Sequence, residues 1–576
     1  EYFDAVKVLS DSQTADTTHL VPSKMRPEKD KECENLDDFS ISEDSEENVI
    51  VTLKKLTNLI IGFMPHNCSF PNPDVVMSKR LGICVSVKVV CTNCDFSSEP
   101  VKLYSTMKSP RGPDSGVLNN ALLIPVIKSK VGISDIITIM SCLNIQCLSR
   151  TVMQRKVNKM SDLMVDMNKK TMIENQEYVK KVLELAGQDN SFDAEVDSSF
   201  NNRPQAGFEA ASQTFCPFIE QNTSRKLPVN MIAANTLCPK LNCNHNNDKC
   251  KKNYSTDESM ASTEGKFVKQ HLTEINSKKI LKVRSVTSDA SAQIAKSVND
   301  YSRANNIPIR HYKCLVHKLR TLQKHLRNIK LTSSMHGFDK DIFVRKLASG
   351  IRARIRLEFT RIKRLSANEC SFIERGRRAV ENVIPCFAND HRNCRRDSIV
   401  CSAHLSMYNT SHLPYARHLE LNQNDIIKLK SVLAKNFTNS EIQKISRLST
   451  TNKCESLHSK VFSFAPKNTI WTRNFEGLCH SAVHSSSLGN GKSCILLASA
   501  IGLKYRKTDP FIKNMRLRDK TGEYHTLRKT TRQYKFIRFK YRRNKGNRKL
   551  LANSLFNCAN ENIINEHQYA NRRDFT

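Results

Sequence analysis

In the segment FDAEVDSSF the acids Asp193, Glu195 and Asp197 recur at every second residue. In a strand, where side chains alternate between faces, they share one face. Asp289 follows the apolar run KKILKVRSV and precedes the helical pattern AQIAKSVNDYSRAN, a position at which carboxylates gather at the edge of a sheet. Glu455 projects from a later helix, KCESLHSKVFSF. Carboxylates that converge on one point repel unless a cation compensates them, and hard divalent ions accept such oxygens. Two ions roughly 3.5–4 Å apart can activate an attacking oxygen and stabilise a departing one in phosphodiester cleavage, so a pair of Mg²⁺ or Mn²⁺ ions is the expected occupant. Spacing alone does not choose the triad, because each acid also reads as a surface charge or a helix cap.

Sulfur and imidazole form further constellations. Cys386-x4-His391-x2-Cys394-x6-Cys401 offers four ligands of zinc type in one turn-rich stretch, and Cys238-x4-Cys243-x-His245-x4-Cys250 offers four more; closed structural zinc sites use such sets. CTNC at 91–94 is half a zinc site, with His66 and Cys68, or Cys84, as candidates to complete it and an ordinary thiol pair as the alternative. Cys314 and His317 are too few to close a site and serve either to brace the acids or to complete a distant metal site. His480-x3-His484 sets two imidazoles on one helix face, the pattern of ordinary surface histidines. The 20 Cys, without a visible export signal, read as reduced thiols in an intracellular protein.

The partner follows from charge. Lys+Arg 91 against Asp+Glu 56 leaves +35, far beyond what solubility needs, which points to a polyanionic partner such as nucleic acid or an anionic membrane surface. The excess concentrates at 504–549, where Arg528, Lys529, Arg532, Lys535, Arg538, Lys540, Arg542 and Arg543 alternate with Tyr534, Phe536, Phe539 and Tyr541, a mixture that neutralises phosphates and stacks on bases. A membrane span is excluded: the most apolar stretch, 117–149, is broken by Lys128, Lys130 and Asp135.

The elements that must position these residues are legible as a multidomain α+β chain. Residues 1–47 read as a disordered acidic tail. Residues 48–114 read as a small β-rich domain, with strands in NVIVTL and GICVSVKVV, and 115–190 as a helical connector with a Met-rich core stripe. Residues 191–325 carry a three-strand meander and then alternating helices and strands, in the order β-β-β-α-β-α-β-α, which suits a mixed sheet covered by helices. A mostly helical insertion at 326–450 follows, then 451–503 with Glu455, then a basic C-terminal tail at 504–576 expected to contact DNA.

Several motifs, in order, resemble those of the Mutator-like transposases, in particular the animal proteins with that domain, over about residues 75–503. They are EVDSSFNNR, CKKNYSTDESM, VTSDASAQIAK, CLVH, IPCFANDHRNC and KCESLHSKVFSFAPK. The resemblance implies an RNase H-like catalytic core with Asp197, Asp289 and Glu455 as the DDE metal ligands, the helical insertion preceding the Glu. Ser198 and Phe200, Asp257 and Glu258, and Lys313 depart from the family pattern. None of these departures removes a catalytic acid.

The implied function is DNA transposition: metal-dependent cleavage at element ends, then attack of the freed 3′-OH on target DNA. Double-stranded DNA is the partner, a homo-oligomer on DNA the expected assembly, and the nucleus the expected location. A second reading is a domesticated or decayed, non-catalytic DNA-binding protein that keeps the fold. A third is a metal-dependent nuclease without strand transfer.

Overall fold

The computed structural model describes residues 48–63, 66–108, 114–201, 211–238, 250–254, 260–332, 340–401, 410–467, 469–542 and 544. The expected acidic tail, 1–47, lies outside them. NVIVTL is not a strand: residues 48–52 lack regular structure and lead into helix α1 (Leu53–Phe63). The helical period wins because Leu56, Leu59 and Phe63 fall on one stripe. That stripe packs on Val85, Val87 and Val89. Strands β1 (Pro73–Leu81) and β2 (Cys84–Cys91) form an antiparallel hairpin, joined by the short β3 (Val101–Lys102).

The segment that follows is largely helical. Helix α2 (Ile133–Cys142) precedes α3 (Arg150–Leu185), whose 36 residues span about 54 Å at 1.5 Å per residue. Met153, Met160, Met164 and Met172 are buried along it in one apolar cluster. Lys128, in the stretch that the sequence shows as broken by charge, is itself buried, with Nζ donating to Ser493 Oγ at 2.6 Å. Burial pulls its ammonium down to about 7.

The central sheet holds β4 (Ser191–Val196), β5 (Ser199–Phe200), β6 (Gln213–Glu220), β7 (Pro228–Asn235), β8 (Lys282–Ser288) and β9 (Arg310–Lys313). Its order is β9-β8-β4-β6-β7, with β5 continuing the line of β4 along the same edge of β6. β4 runs antiparallel to β6 but parallel to β8, and β8 parallel to β9. Parallel neighbours need a crossover; α5 (Ala292–Asn305) supplies the one between β8 and β9, after α4 (Met260–Lys278) and before α6 (Leu315–Arg327). Phe192, Ala194 and Val196 bury one face of β4, which leaves Asp193 and Glu195 on the other. The mixed α/β sheet expected from the order of elements is therefore present.

The insertion carries α7 (Lys340–Leu365), α8 (Glu369–Glu381), α9 (Gln423–Asn436) and α10 (Asn439–Lys444), whose core around Phe343, Ile355, Phe359 and Phe372 is shared with Leu315, Leu319, Leu322 and Leu326 of α6. The chain then returns to the sheet as α11 (Asn452–Phe464), α12 (Phe475–Leu488) and α13 (Asn490–Ala500), packed against the buried Met stripe of α3. The basic segment is helical over α14 (Pro510–Thr530) and again over 532–542. Asp519 moors α14 by accepting the Gly491 and Lys492 amides at 2.6 and 2.7 Å, two of the donors a helix start leaves unpaired. Among the described residues, no helix is long and apolar enough to cross a membrane.

Candidate active site and metal clusters

Asp197 sits at the break between β4 and β5. The pairs Val196↔Phe218 and Ser199↔Phe215 keep one register on either side of the break, which puts Asp197 opposite Pro217. In an antiparallel pair every second opposed couple exchanges backbone hydrogen bonds. The Gln221 N–H to Asp193 O and Asn201 N–H to Gln213 O bonds place Asp197 and Pro217 in a bonding couple. Proline has no N–H to give, so the Asp197 carbonyl loses its ladder donor. His458 Nε2, on α11, donates to that carbonyl instead at 3.0 Å, and its Nδ1 lies 3.7 Å from Asp197 Oδ2. Burial keeps the imidazole neutral, lowering it to about 4, which suits a ring with one proton and one lone pair.

Asp289 follows β8. The β4–β8 register ends at Glu195↔Thr287, and two further residues on each strand set Asp289 beside Asp197. Burial is the largest influence on the Asp197 carboxyl, followed by the charge of Asp289; with Glu264 and Glu455 adding to these and His317 opposing, it is held up at about 8. Glu264, on α4, is likewise pushed to about 7 by burial and by Asp289. Sequence reading missed Glu264, since nothing local marks one acid of a helix; Gly265 beside it is a trace of the packing. A Cβ there would overlap Ser297 Oγ, so the glycine lets α4 close on α5 and brings Glu264 to the acids.

Glu455 stands in the first turn of α11, where a negative charge faces the positive end of the helix dipole. Its Oε1 lies 3.3 Å from His317 Nε2 and accepts from Arg320 at 3.2 Å. Cys314 is buried at the start of α6, one turn before His317. The Cys314 bond, more than anything else, raises the His317 pKa. The C-x-x-H pair therefore braces Glu455. Among the described residues only two groups of three or more His, Cys, Asp or Glu bring their ligand atoms within 4.8 Å of one another, and Asp197, Asp289 and Glu455 are not one of them. The acids share a field, with Glu455 drawn towards the cations of α6.

The other acids of the β4 face have different work. Asp193 accepts from Arg284 Nη2 at 2.6 Å and Ser285 Oγ at 2.6 Å and pairs with Arg447. Burial opposes its ionisation, but these partners hold it down at about 2. Glu195 is fully buried and accepts the Cys454 amide at 2.8 Å and Gln221 Nε2 at 2.9 Å. It caps the start of α11 from two residues before Asp197, and so fixes the helix that carries Glu455 against the strand that leads to Asp197.

Cys386, His391, Cys394 and Cys401 do converge within 4.8 Å, a donor set that fits tetrahedral zinc. His391 Nδ1 lies 3.3 Å from Cys394 Sγ and 3.5 Å from Cys401 Sγ, while its Nε2 meets His418 Nε2 at 2.9 Å. Cys394 is drawn down to about 5, first by the Cys386 thiol, which is raised in turn. In the second cluster Cys238 and Cys250 approach to 3.7 Å; Cys243 and His245 lie outside the described residues.

Arg528, Lys529, Arg532, Lys535, Arg538, Lys540 and Arg542 are all exposed; Arg543, like Asp257 and Glu258, lies outside the described residues. Lys540 sits over the Phe536 ring at 5.0 Å. His480 and His484 are not surface residues: both are buried, bonded to Asn168 Nδ2 at 2.9 Å and Ser493 Oγ at 2.6 Å. Helix α12 is enclosed on most sides, which a two-histidine pattern does not reveal.

A family model described as Mutator-like transposase matches residues 47–401. No curated protein and no solved structure matches the chain.

Proposed function

The chain belongs to the Mutator-like transposase family, and from that premise we propose that it is a DDE-type DNA transposase whose catalytic acids are Asp197, Asp289 and Glu455. The observation that carries this reading is that Asp197 and Asp289 stand side by side at the ends of the adjacent parallel strands β4 and β8, where burial and the neighbouring charges of Asp289 and Glu455 raise the Asp197 carboxyl. Neutralising such an acid with a cation is more favourable than leaving it ionised among acids. The sheet order, with β4 central and the two Asp at the ends of adjacent parallel strands, supports an RNase H-like core.

The donors are hard oxygens and fit Mg²⁺ or Mn²⁺, which when bound supply activation of the attacking oxygen and charge stabilisation at the phosphate. Asp197 and Asp289 hold one side of the site on rigid strand ends, and Glu455 closes it from α11. Glu195 and the His458 bond keep α11 in register with β4. His317 and Arg320 orient the Glu455 carboxylate, and the Arg320 guanidinium, half-exposed, is free on its other edge to meet a phosphate. Water cleaves the phosphodiester at the element end and releases a 3′-OH, which then attacks the target strand. The exposed basic helices beyond 510 grip duplex DNA, with the chain acting as a homo-oligomer in the nucleus.

The test is nicking of duplex DNA from the element ends with Mg²⁺ or Mn²⁺. Asp197→Asn, Asp289→Asn and Glu455→Gln should each lose at least ~100-fold in rate, because an anionic ligand is removed without a change of shape, while DNA affinity holds. Asp193→Asn should retain nicking per folded molecule. Full activity in Asp289→Asn or Glu455→Gln would remove those residues from the site, and a wild type that binds DNA without cutting it would favour the non-catalytic reading.

A further inference from the structure

The half-site CTNC acquires its partners in three dimensions. His66 and Cys68 come from the segment between α1 and β1, Cys91 closes β2, and Cys94 follows three residues later; their ligand atoms lie within 4.8 Å of one another. Cys84, the other candidate, begins the eight-residue strand that Cys91 ends. That separates the two by about 23 Å at 3.3 Å per residue. Cys84 is instead buried against Gly116, where a Cβ would overlap its sulfur.

The surroundings are those of a built site. His66 Nε2 lies 3.3 Å from Cys94 Sγ. The imidazole is stacked on Phe63, with centroids 5.0 Å apart, and meets the edge of Phe96 at 4.5 Å. The two halves are laced together. Thr92 N–H donates to Asn72 O at 3.0 Å, Asn72 Nδ2 to Thr92 Oγ1 at 2.6 Å, and Asn93 Nδ2 to Phe70 O at 2.6 Å. Backbone amides of Asn72 and Asn93 point at the Cys91 sulfur. Amide donors to sulfur fix and tune thiolate ligands.

We propose that His66, Cys68, Cys91 and Cys94 bind a structural Zn²⁺, distinct from the cluster at 386–401. Three thiolates and one imidazole form a closed tetrahedral set selective for zinc over the hard ions of the acidic site. The module it staples has a small core, Leu59, Val85, Val87, Val89 and Leu103 with Val51, Leu56, Phe63 and Val101 half-buried at its margin, too little to hold helix and hairpin together firmly by burial alone. Zinc supplies the missing folding free energy by tying the loop after α1 to the far end of β2.

The experiment uses the full chain, with zinc measured by elemental analysis and Co²⁺ substitution read by its thiolate and d–d absorption. Cys91→Ser and Cys94→Ser should each carry one zinc equivalent less than wild type, and Cys84→Ser should carry the same as wild type. His66→Cys should keep its zinc, four thiolates being an equally good set, and shift the Co²⁺ bands. Unchanged zinc in folded Cys91→Ser, or equal loss in Cys84→Ser, would overturn the assignment. So would an unshifted Co²⁺ spectrum in His66→Cys, which is informative even where a serine variant fails to fold.

Discussion

Pro217 faces Asp197 across the sheet, and the hydrogen bond that proline cannot donate is supplied to the Asp197 carbonyl by His458. A single missing N–H thus ties strand β4 to α11 at a residue whose carboxyl is raised by burial and by Asp289. Both ends of the proposed triad, Asp197 and Glu455, depend on that junction.

Removing His458 should therefore cost more than its packing. His458→Ala leaves the Asp197 carbonyl unpaired and should destabilise by about 1–2 kcal/mol beyond the lost packing against Phe215. Pro217→Ala restores an N–H at that rung. In a double-mutant cycle followed by urea denaturation, His458→Ala should be less damaging in the Pro217→Ala background. Strict additivity would mean that the two residues do not share the carbonyl.

Glu441 makes acid stability a test of the insertion's docking. Burial would raise its carboxyl, yet Lys313 and Lys318, with Nζ at 2.8 and 2.9 Å, hold it at about 2 against an ordinary 4.5. A carboxyl lowered by folding contributes stability that is complete above its unfolded value and is lost as pH falls through the folded one. Unfolding free energy should therefore decline between about pH 4.5 and 2, and Glu441→Gln should flatten this limb while lowering stability at neutral pH. Identical pH profiles would show that the pair carries no weight.

The cluster at 386–401 should hold zinc tightly. Cys394→Ser should remove one zinc equivalent and lower the melting temperature, because ligand assembly is coupled to folding. Thermal denaturation beside elemental analysis checks both, and equal zinc in the two proteins would return these residues to ordinary core packing.

If the exposed basic residues of 528–542 contact phosphate, each one replaced by Gln should reduce the slope of log K against log salt by about 0.9 on duplex DNA. Replacing Arg532, Lys535 and Arg538 together should take off roughly 2.7 from the slope and leave metal-dependent nicking at saturating DNA intact. An unaltered slope would reduce the segment to a solubilising surface.

Much of this organisation is carried by local pattern. Period-two acids, β-rich runs and the abrupt passage from KKILKVRSV to a helix place Asp197 on a strand and Asp289 at a strand end, since alternation and helix onset depend on neighbouring residues alone; the break that puts Asp197 at the end of β4 does not show in the pattern FDAEVDSSF. The basic excess and the four-ligand spacing at 386–401 are legible for the same reason. Tertiary structure decided what depends on distant partners. Asp193, Glu195 and Asp197 are equivalent in a strand pattern and diverge only when Arg447, the Cys454 amide and His458 arrive from more than 250 residues away in the chain. The surroundings of α12 bury His480 and His484, and an apolar stripe on a small sheet makes a helix after NVIVTL, where local β-propensity pointed to a strand. Glu264 enters the acidic site because α4 closes on α5, and His66 and Cys68 reach Cys91 and Cys94 because a loop folds back along a hairpin. Local sequence sets which side chains share a face; the charges and donors met across that face come from segments whose approach only the packed chain determines.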